Sequence, residues 1–122
     1  MLIIVSDIHL GDGTCGNTIS ASAFRLFVDR LRELAFNASW RTDGQYRPLE
    51  EIDILLLGDI LDPLHSSLWL EKEISEPGYV RPWTDHRTPE YAEKLKLITS
   101  NIIKNNTTAI GLLKGLTGEP GL

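Results

Sequence analysis

Two short apolar runs, each followed by glycine and acidic residues, dominate the hydrophobic pattern of this chain. The first covers Leu2 to Val5, and the second covers Ile52 to Leu57 with a single aspartate inside it. Short runs of this kind, rich in branched aliphatic residues and closed by polar or glycine-rich sequence, are typical of buried strands. The pattern therefore predicts two buried strands whose carboxyl ends carry polar side chains.

A helical pattern separates the two predicted strands. From about Ile19 to Phe36 apolar residues recur at helical spacing, with charged residues between them, which predicts an amphipathic helix on one face of the sheet. The apolar positions are Ile19, Ala23, Leu26, Phe27, Leu31, Leu34 and Ala35. Strand, helix and strand in this order favour a right-handed βαβ unit, in which the strands are parallel and their carboxyl ends share one edge.

A second helix is predicted in the last third of the chain. Thr88 is a candidate N-cap, with Pro89 at the first helical position, and the helix should end near Asn105 and Asn106. Its apolar stripe consists of Tyr91, Leu95, Ile98 and Ile102. The sequence after residue 106 is mildly apolar and closes on turn residues from Gly118 to Leu122.

The remaining segments are predicted to be mostly irregular. Asn37 to Glu50 and Ser75 to Arg87 have the polar, glycine- and proline-containing composition of surface loops, and Leu64 to Glu73 can form a short helix. The glycine-rich stretch Gly11 to Asn17 is either a loop that passes close to a ligand or a plain turn. The fold class expected is α/β, as a single partial domain over residues 1–122.

Composition and net charge limit the classes of protein to which this chain can belong. The 122 residues have an ordinary globular composition and a formal net charge of −5, which argues against a nucleic-acid partner because phosphate backbones are held by clustered Lys and Arg. The single Cys15 cannot form an internal disulfide, and no segment approaches the ~20 apolar residues of a membrane span. A cytoplasmic location is therefore expected, and the oligomeric state stays open.

Polar side chains with metal-binding chemistry stand at the ends of both predicted strands. Asp7 and His9 follow the first strand, and Asp59 follows the second. Two carboxylates and an imidazole at one sheet edge can share a divalent cation, whereas without a cation they would concentrate negative charge in a crevice. We predict a metal site of Asp7, His9 and Asp59. Asp62 either accepts a hydrogen bond at the edge of this site or caps the helix that begins near Pro63.

These residues carry a family resemblance. Asp7-Ile8-His9 and Gly58-Asp59-Ile60-Leu61-Asp62 resemble the motifs D-x-H and G-D-x-x-D of the calcineurin-like metallophosphoesterases. The resemblance implies an αββα sandwich of two mixed sheets with helices outside, and two divalent metal ions (Mn, Fe or Zn) at the strand ends. It further implies that Asp7 and His9 bind the first ion, that Asp59 bridges both, and that the substrate is a phosphoester.

The resemblance covers about the first half of the chain. The family's third motif contains Asn-His, and no Asn-His dipeptide occurs here. His65 and His86 lack an apolar strand before them and are interpreted as surface histidines. With two strands and about three helices, sheet edges and an apolar face should stay uncovered. The expectation is the N-terminal portion of a longer phosphoesterase, with one metal ion or none and weak or no activity alone.

Three other functions compete with this interpretation. An inactive relative could serve as a metal-binding, structural or interaction module. Phosphotransfer of the haloacid-dehalogenase type would require an aspartate at the position of His9, and an amidohydrolase would require His-x-His at the position of Asp7. Both enzyme alternatives are disfavoured by those residues. Substrate and metal identity are not specified by the motifs.

Overall fold

The computed structural model of the protein describes residues 1–17 and 19–117. Two strands, β1 (Leu2–Ser6) and β2 (Asp53–Leu57), are accompanied by three α-helices, α1 (Ala21–Ala38), α2 (Pro89–Asn105) and α3 (Thr107–Leu116). A short 3-10 helix spans Ser67–Leu70. The described residues therefore form a small α/β fold. The predicted turn sequence at Gly118 to Leu122 lies outside them.

The two strands pair in parallel, as the βαβ pattern predicted. The register pairs Leu2 with Asp53 and Ser6 with Leu57, so that the strands start and end together. Side chains alternate between the two faces of a strand. On one face Ile3 and Ile54 pack against Val28 of α1 and neighbouring apolar residues. The parallel pairing brings the carboxyl ends of β1 and β2 to one edge.

Helix α1 covers one face of the sheet, and its buried side chains agree in part with the predicted stripe, since Leu31 and Ala35 belong to both. Ser20 is the N-cap, and its hydroxyl accepts a hydrogen bond from the backbone N–H of Ala23. The buried positions are Phe24, Val28, Leu31 and Ala35. These positions lie on one helical stripe. Leu26 and Leu34, which the predicted stripe included, are more than half exposed, so that part of the prediction was wrong.

Helix α2 has the predicted stripe, with Ile98 and Ile102 completely buried. Thr88 has the extended backbone of an N-cap, yet its hydroxyl donates to the carbonyl of Asp85 and makes no capping bond to the helix. Thr88 is therefore the N-cap residue, as predicted, with Pro89 at the start of the helix, although no side-chain bond caps the helix there. The helix ends at Asn105, as expected.

Helix α3 was not predicted from the sequence. It begins directly after Asn106 and packs against α1, with Ala109 and Leu116 buried. Two glycines lie within its ten residues, and glycine weakens an isolated helix by about 1 kcal/mol relative to alanine. The helix is therefore stabilised mainly by packing against α1.

The other face of the sheet is uncovered within the described part of the chain. Leu2, Ile4, Leu55 and Leu57 are 62%, 58%, 46% and 53% exposed. The expectation of an uncovered apolar face is confirmed, whereas the expectation that both strands are buried was wrong. None of the helices in the described ranges is long and apolar enough to cross a membrane.

Candidate metal centre

The parallel pairing continues past the ends of the strands and positions the predicted ligands. The backbone N–H of Asp7 donates to the carbonyl of Leu57 at 3.1 Å, and that of His9 donates to the carbonyl of Asp59 at 2.9 Å. Between and after them, Ile8 and Leu10 are buried in the core. The apolar side chains thus anchor this segment, while the alternating polar side chains lie toward the edge.

Asp7, His9 and Asp59 come together at this edge, although they are distant in sequence. One ligand atom from each lies within 4.8 Å of the ligand atoms of the other two. Asp7 and Asp59 are exposed, and His9 is partly buried. The structure therefore produces the cluster that the strand order predicted, with donors that suit a hard or borderline divalent cation.

The backbone at this edge is strained. Asp7 and His9 have φ values of 53° and 51°, in the left-handed region that residues other than glycine rarely adopt. Such conformations cost about 1–3 kcal/mol each and cluster at functional sites. Among the non-glycine residues in the described ranges, positive φ occurs only at these two, which are both predicted ligands.

Gly58 allows the carboxylate of Asp7 to approach the second strand. Its φ is +77°, and a Cβ built at this position would lie 2.7 Å from Oδ1 of Asp7. Any larger residue would therefore both strain the backbone and displace the carboxylate. Gly58 is therefore required for the position of the Asp7 carboxylate at the candidate site.

Asp62 bonds to two imidazoles. Its Oδ2 lies 3.3 Å from Nδ1 of His9 and 3.2 Å from Nδ1 of His65. Its Oδ1 accepts the backbone N–H of His65 at 3.2 Å, which closes the turn after Pro63. Asp62 is therefore a hydrogen-bond partner of His9, as one of its two predicted roles required. The other role was wrong, because no helix of the described residues begins near Pro63 and the 3-10 helix Ser67–Leu70 is capped by Ser66.

The contacts of Asp62 also determine its charge. Burial alone would raise the pKa of Asp62, but the hydrogen bonds from His65 and His9 outweigh burial and hold the pKa below its ordinary value. An ionised carboxylate only accepts hydrogen bonds, so Nδ1 of His9 carries its hydrogen toward Asp62. In carboxylate–histidine–metal arrangements the carboxylate orients the imidazole in this way, and the cation is bound by the other ring nitrogen, Nε2.

The glycine-rich loop Gly11–Asn17 is held beside the site by a buried aspartate. Asp12 accepts the backbone N–H and the hydroxyl of Thr14 at 2.9 and 2.6 Å, and it also accepts the hydroxyl of Ser66. Burial raises the pKa of Asp12, but these hydrogen bonds outweigh it and leave the pKa below its ordinary value. The carboxylate thus ties this loop to the segment that contains His65.

The junction of α2 and α3 holds the same loop from the other side. The side-chain amides of Asn105 and Asn106 both donate to the carbonyl of Gly11, at 3.0 and 2.8 Å. A Cβ at Gly13 would lie 2.9 Å from Oδ1 of Asn105. The loop therefore has a structural role, and Gly13 permits this close approach.

His65 lies beside the site, which the sequence did not indicate. Its side chain is 69% exposed, so its interpretation as a surface residue is correct as far as burial is concerned. However, His65 bonds to Asp62, as His9 does, and the two histidines line one small cavity. The spacing Asp62–His65 in the turn was the available signal, because an aspartate often bonds to a backbone amide a few residues on.

Comparison with known proteins identifies no relative of this chain. No family model, no curated protein and no solved structure matches the chain. The resemblance to metallophosphoesterases accordingly depends on the two motifs and on the arrangement of their side chains.

Proposed function

We propose that the chain contributes the cation-binding part of a metal-dependent phosphoester hydrolase of the calcineurin-like type. Asp7, His9 and Asp59 would hold the divalent cation, with Mn, Fe or Zn as the candidate ions, and Asp62 would orient His9. The observation that carries the proposal is the convergence of these three donors at one sheet edge. Their motif spacing and the strained backbone at Asp7 and His9 support it.

The residues present fit one cation better than none. Two carboxylates within 4.8 Å of each other repel unless a positive charge lies between them. A bound divalent cation would supply this charge, would lower the pKa of a water bound to it, and would neutralise the oxygens of a phosphoryl group. The chain's own contribution is to fix the donors: β1 and β2 align the carboxylates, and Asp62 fixes the imidazole tautomer.

Three donors leave a cation partly uncoordinated, which is an arrangement that catalytic sites use to admit substrate or water. The Asn-His motif of the resembled family is missing from the sequence. We therefore expect the isolated chain to bind a cation and to hydrolyse phosphoesters weakly or not at all. A metal-binding module without catalysis is the second candidate, and it would show cation binding with no turnover.

Calorimetric titration of metal-free protein with Mn²⁺ tests the proposal. The variants Asp7→Asn and Asp59→Asn should each weaken Mn²⁺ binding by more than the roughly 10–100-fold loss typical of outer-shell partners. Asp53→Asn is the matched control, because Asp53 is an exposed carboxylate at the opposite end of β2. Its Mn²⁺ affinity should equal that of the wild type.

Two results of these titrations would contradict the proposal. Wild-type protein that binds no Mn²⁺, Fe²⁺ or Zn²⁺, or equal Mn²⁺ affinity in all three variants, would contradict a cation site at Asp7, His9 and Asp59. Turnover of a generic phosphodiester that is abolished by Asp59→Asn would contradict the expectation of weak or absent activity while supporting the hydrolase assignment.

A further inference from the structure

A small open cavity adjoins the candidate metal centre. It has a volume of about 90 Å³ and is lined by His9, Asp62, His65 and residues of the Gly11–Asn17 loop. Of the three predicted cation ligands, His9 lines this cavity, so the cavity and the candidate metal centre share this side chain. A group bound to the cation and extending into this cavity would meet His65.

Asp62 determines which ring nitrogen His65 presents. The carboxylate engages Nδ1 of His65 at 3.2 Å, just as it engages Nδ1 of His9. Because Asp62 accepts at both contacts, Nε2 of His65 is the nitrogen left for a ligand. In the imidazolium form Nε2–H donates to a phosphoryl oxygen, and in the neutral form Nε2 accepts from a phosphoryl hydroxyl.

The side chain of His65 contributes little to packing. It is 69% exposed, whereas the carboxylate that orients it is only 13% exposed. The backbone N–H of His65 also donates to Asp62, in a bond that does not involve the side chain. An exposed imidazole held by a mostly buried carboxylate at the mouth of a cavity is a preorganised ligand contact.

We propose that His65 is a phosphoryl-contacting residue of this site, with Nε2 hydrogen-bonded to an oxygen of a phosphoryl group bound at the Asp7, His9 and Asp59 cation. This inference rests on the proposed function, because it takes the phosphoryl group to be held by that cation. It adds a residue that lies outside the two motifs and assigns the cavity to the phosphoryl group.

The test is a pair of calorimetric titrations on each variant: Mn²⁺ into metal-free protein, then inorganic phosphate into Mn²⁺-loaded protein. His65→Asn keeps a donor near the position of Nδ1 and removes Nε2, whereas His65→Gln places an amide near the position of Nε2. We expect His65→Asn to weaken phosphate binding about tenfold or more, as loss of a charge-assisted hydrogen bond does. His65→Gln should recover part of that loss.

Mn²⁺ affinity should stay within about twofold of the wild type in both variants. The substituted side chain is exposed, and it is connected to the cation ligand His9 only through Asp62. His86→Asn is the control for loss of an exposed histidine, and it should change neither titration. Thermal unfolding followed by circular dichroism confirms that each variant is folded.

Each other result overturns the inference in a distinguishable way. Failure of the wild type to bind Mn²⁺ contradicts the proposed function and this inference with it. Mn²⁺ binding without phosphate binding contradicts the inference alone. Unchanged phosphate affinity in His65→Asn excludes the Nε2 contact, and a parallel loss of Mn²⁺ affinity shows that His65 acts on the cation site through Asp62 instead.

Discussion

At the scale of single residues, the candidate centre depends on backbone conformations that are unfavourable in isolation. Asp7 and His9 both have positive φ, and each donates its backbone N–H, Asp7 to the last residue of β2 and His9 to Asp59 just beyond it. The buried side chains of Ile8 and Leu10 hold the same segment against the core. Strained residues persist where the surrounding structure over-determines them, and here that structure is the extended strand pairing.

Gly58→Ala tests how closely the second strand must approach Asp7. The added Cβ would meet Oδ1 of Asp7 at 2.7 Å, at a φ of +77°. We expect a loss of about 1–3 kcal/mol in the free energy of unfolding and a fall in Mn²⁺ affinity, because the carboxylate must move. Urea unfolding and calorimetric titration measure the two effects.

Gly44→Ala is the matched control for this substitution. Gly44 has a nearly identical φ of +78°, and nothing lies within 4 Å of a Cβ built there. It should lose only the backbone contribution of about 1–2 kcal/mol and keep full Mn²⁺ affinity. Equal Mn²⁺ binding in the two alanine variants would contradict the role given to Gly58.

At the scale of elements, the loops around the site are held by polar contacts from distant segments. Asp12 connects the Gly11–Asn17 loop to Ser66, and the amides of Asn105 and Asn106 connect it to the break between α2 and α3. These contacts fix the position of the Gly11–Asn17 loop beside His65 and the predicted ligands. Loss of the hydrogen bond between Ser66 and Asp12 should lower the free energy of unfolding by an amount that depends on the charge of Asp12.

Ser66→Ala removes a hydroxyl donor to the ionised Asp12, and it also removes the cap of the 3-10 helix. We expect a loss of about 1–3 kcal/mol in the free energy of unfolding near pH 7, measured by urea unfolding. Ser67→Ala is the control, because Ser67 is exposed and uses its backbone N–H in the contact with Thr14.

The pH dependence has a defined sign. Because the pKa of Asp12 in the folded protein lies below its ordinary value of 3.8, its contribution is fully present above pH 3.8 and is lost as the pH falls through the folded pKa. The difference in unfolding free energy between wild type and Ser66→Ala should therefore shrink in acid below that value. A difference that stays constant over this range would contradict the charged state assigned to Asp12.

At the scale of the whole molecule, the sheet has one covered face and one open face within residues 1–17 and 19–117. Ile3 packs against the cluster formed by Val28, Leu31 and Leu116, whereas its neighbour Ile4 is 58% exposed. Two adjacent isoleucines of one strand therefore experience different environments. They provide an internal comparison of the two faces.

Replacement of each isoleucine by threonine measures this difference. Ile3→Thr should reduce the free energy of unfolding by about 1–3 kcal/mol, because it places a hydroxyl against an apolar cluster, whereas Ile4→Thr should change it by no more than about 0.5 kcal/mol. Urea unfolding measures both, and Ile4→Thr should also reduce binding of a hydrophobic dye. Similar losses in both variants would show that the Ile4 face is covered in solution.

Several features were predictable because they depend on local pattern. The βαβ order and the polar residues after each strand were sufficient to predict parallel pairing and the meeting of Asp7, His9 and Asp59. The stripe of α2 was predictable because Ile98 and Ile102 lie on one helical face. The approach of Asn105 to Gly13 was not predictable, because it joins segments that no periodicity relates.

The amino-acid sequence by itself determined the strands, the first two helices and the three donors, since these depend on hydrophobic period and on residue chemistry at strand ends. Only the tertiary structure decided that Leu26 and Leu34 stay exposed and that α3 forms by packing on α1. It also decided that Asp62 joins His9 to His65. Burial and long-range hydrogen bonds depend on which surfaces meet in space, and sequence spacing does not record that.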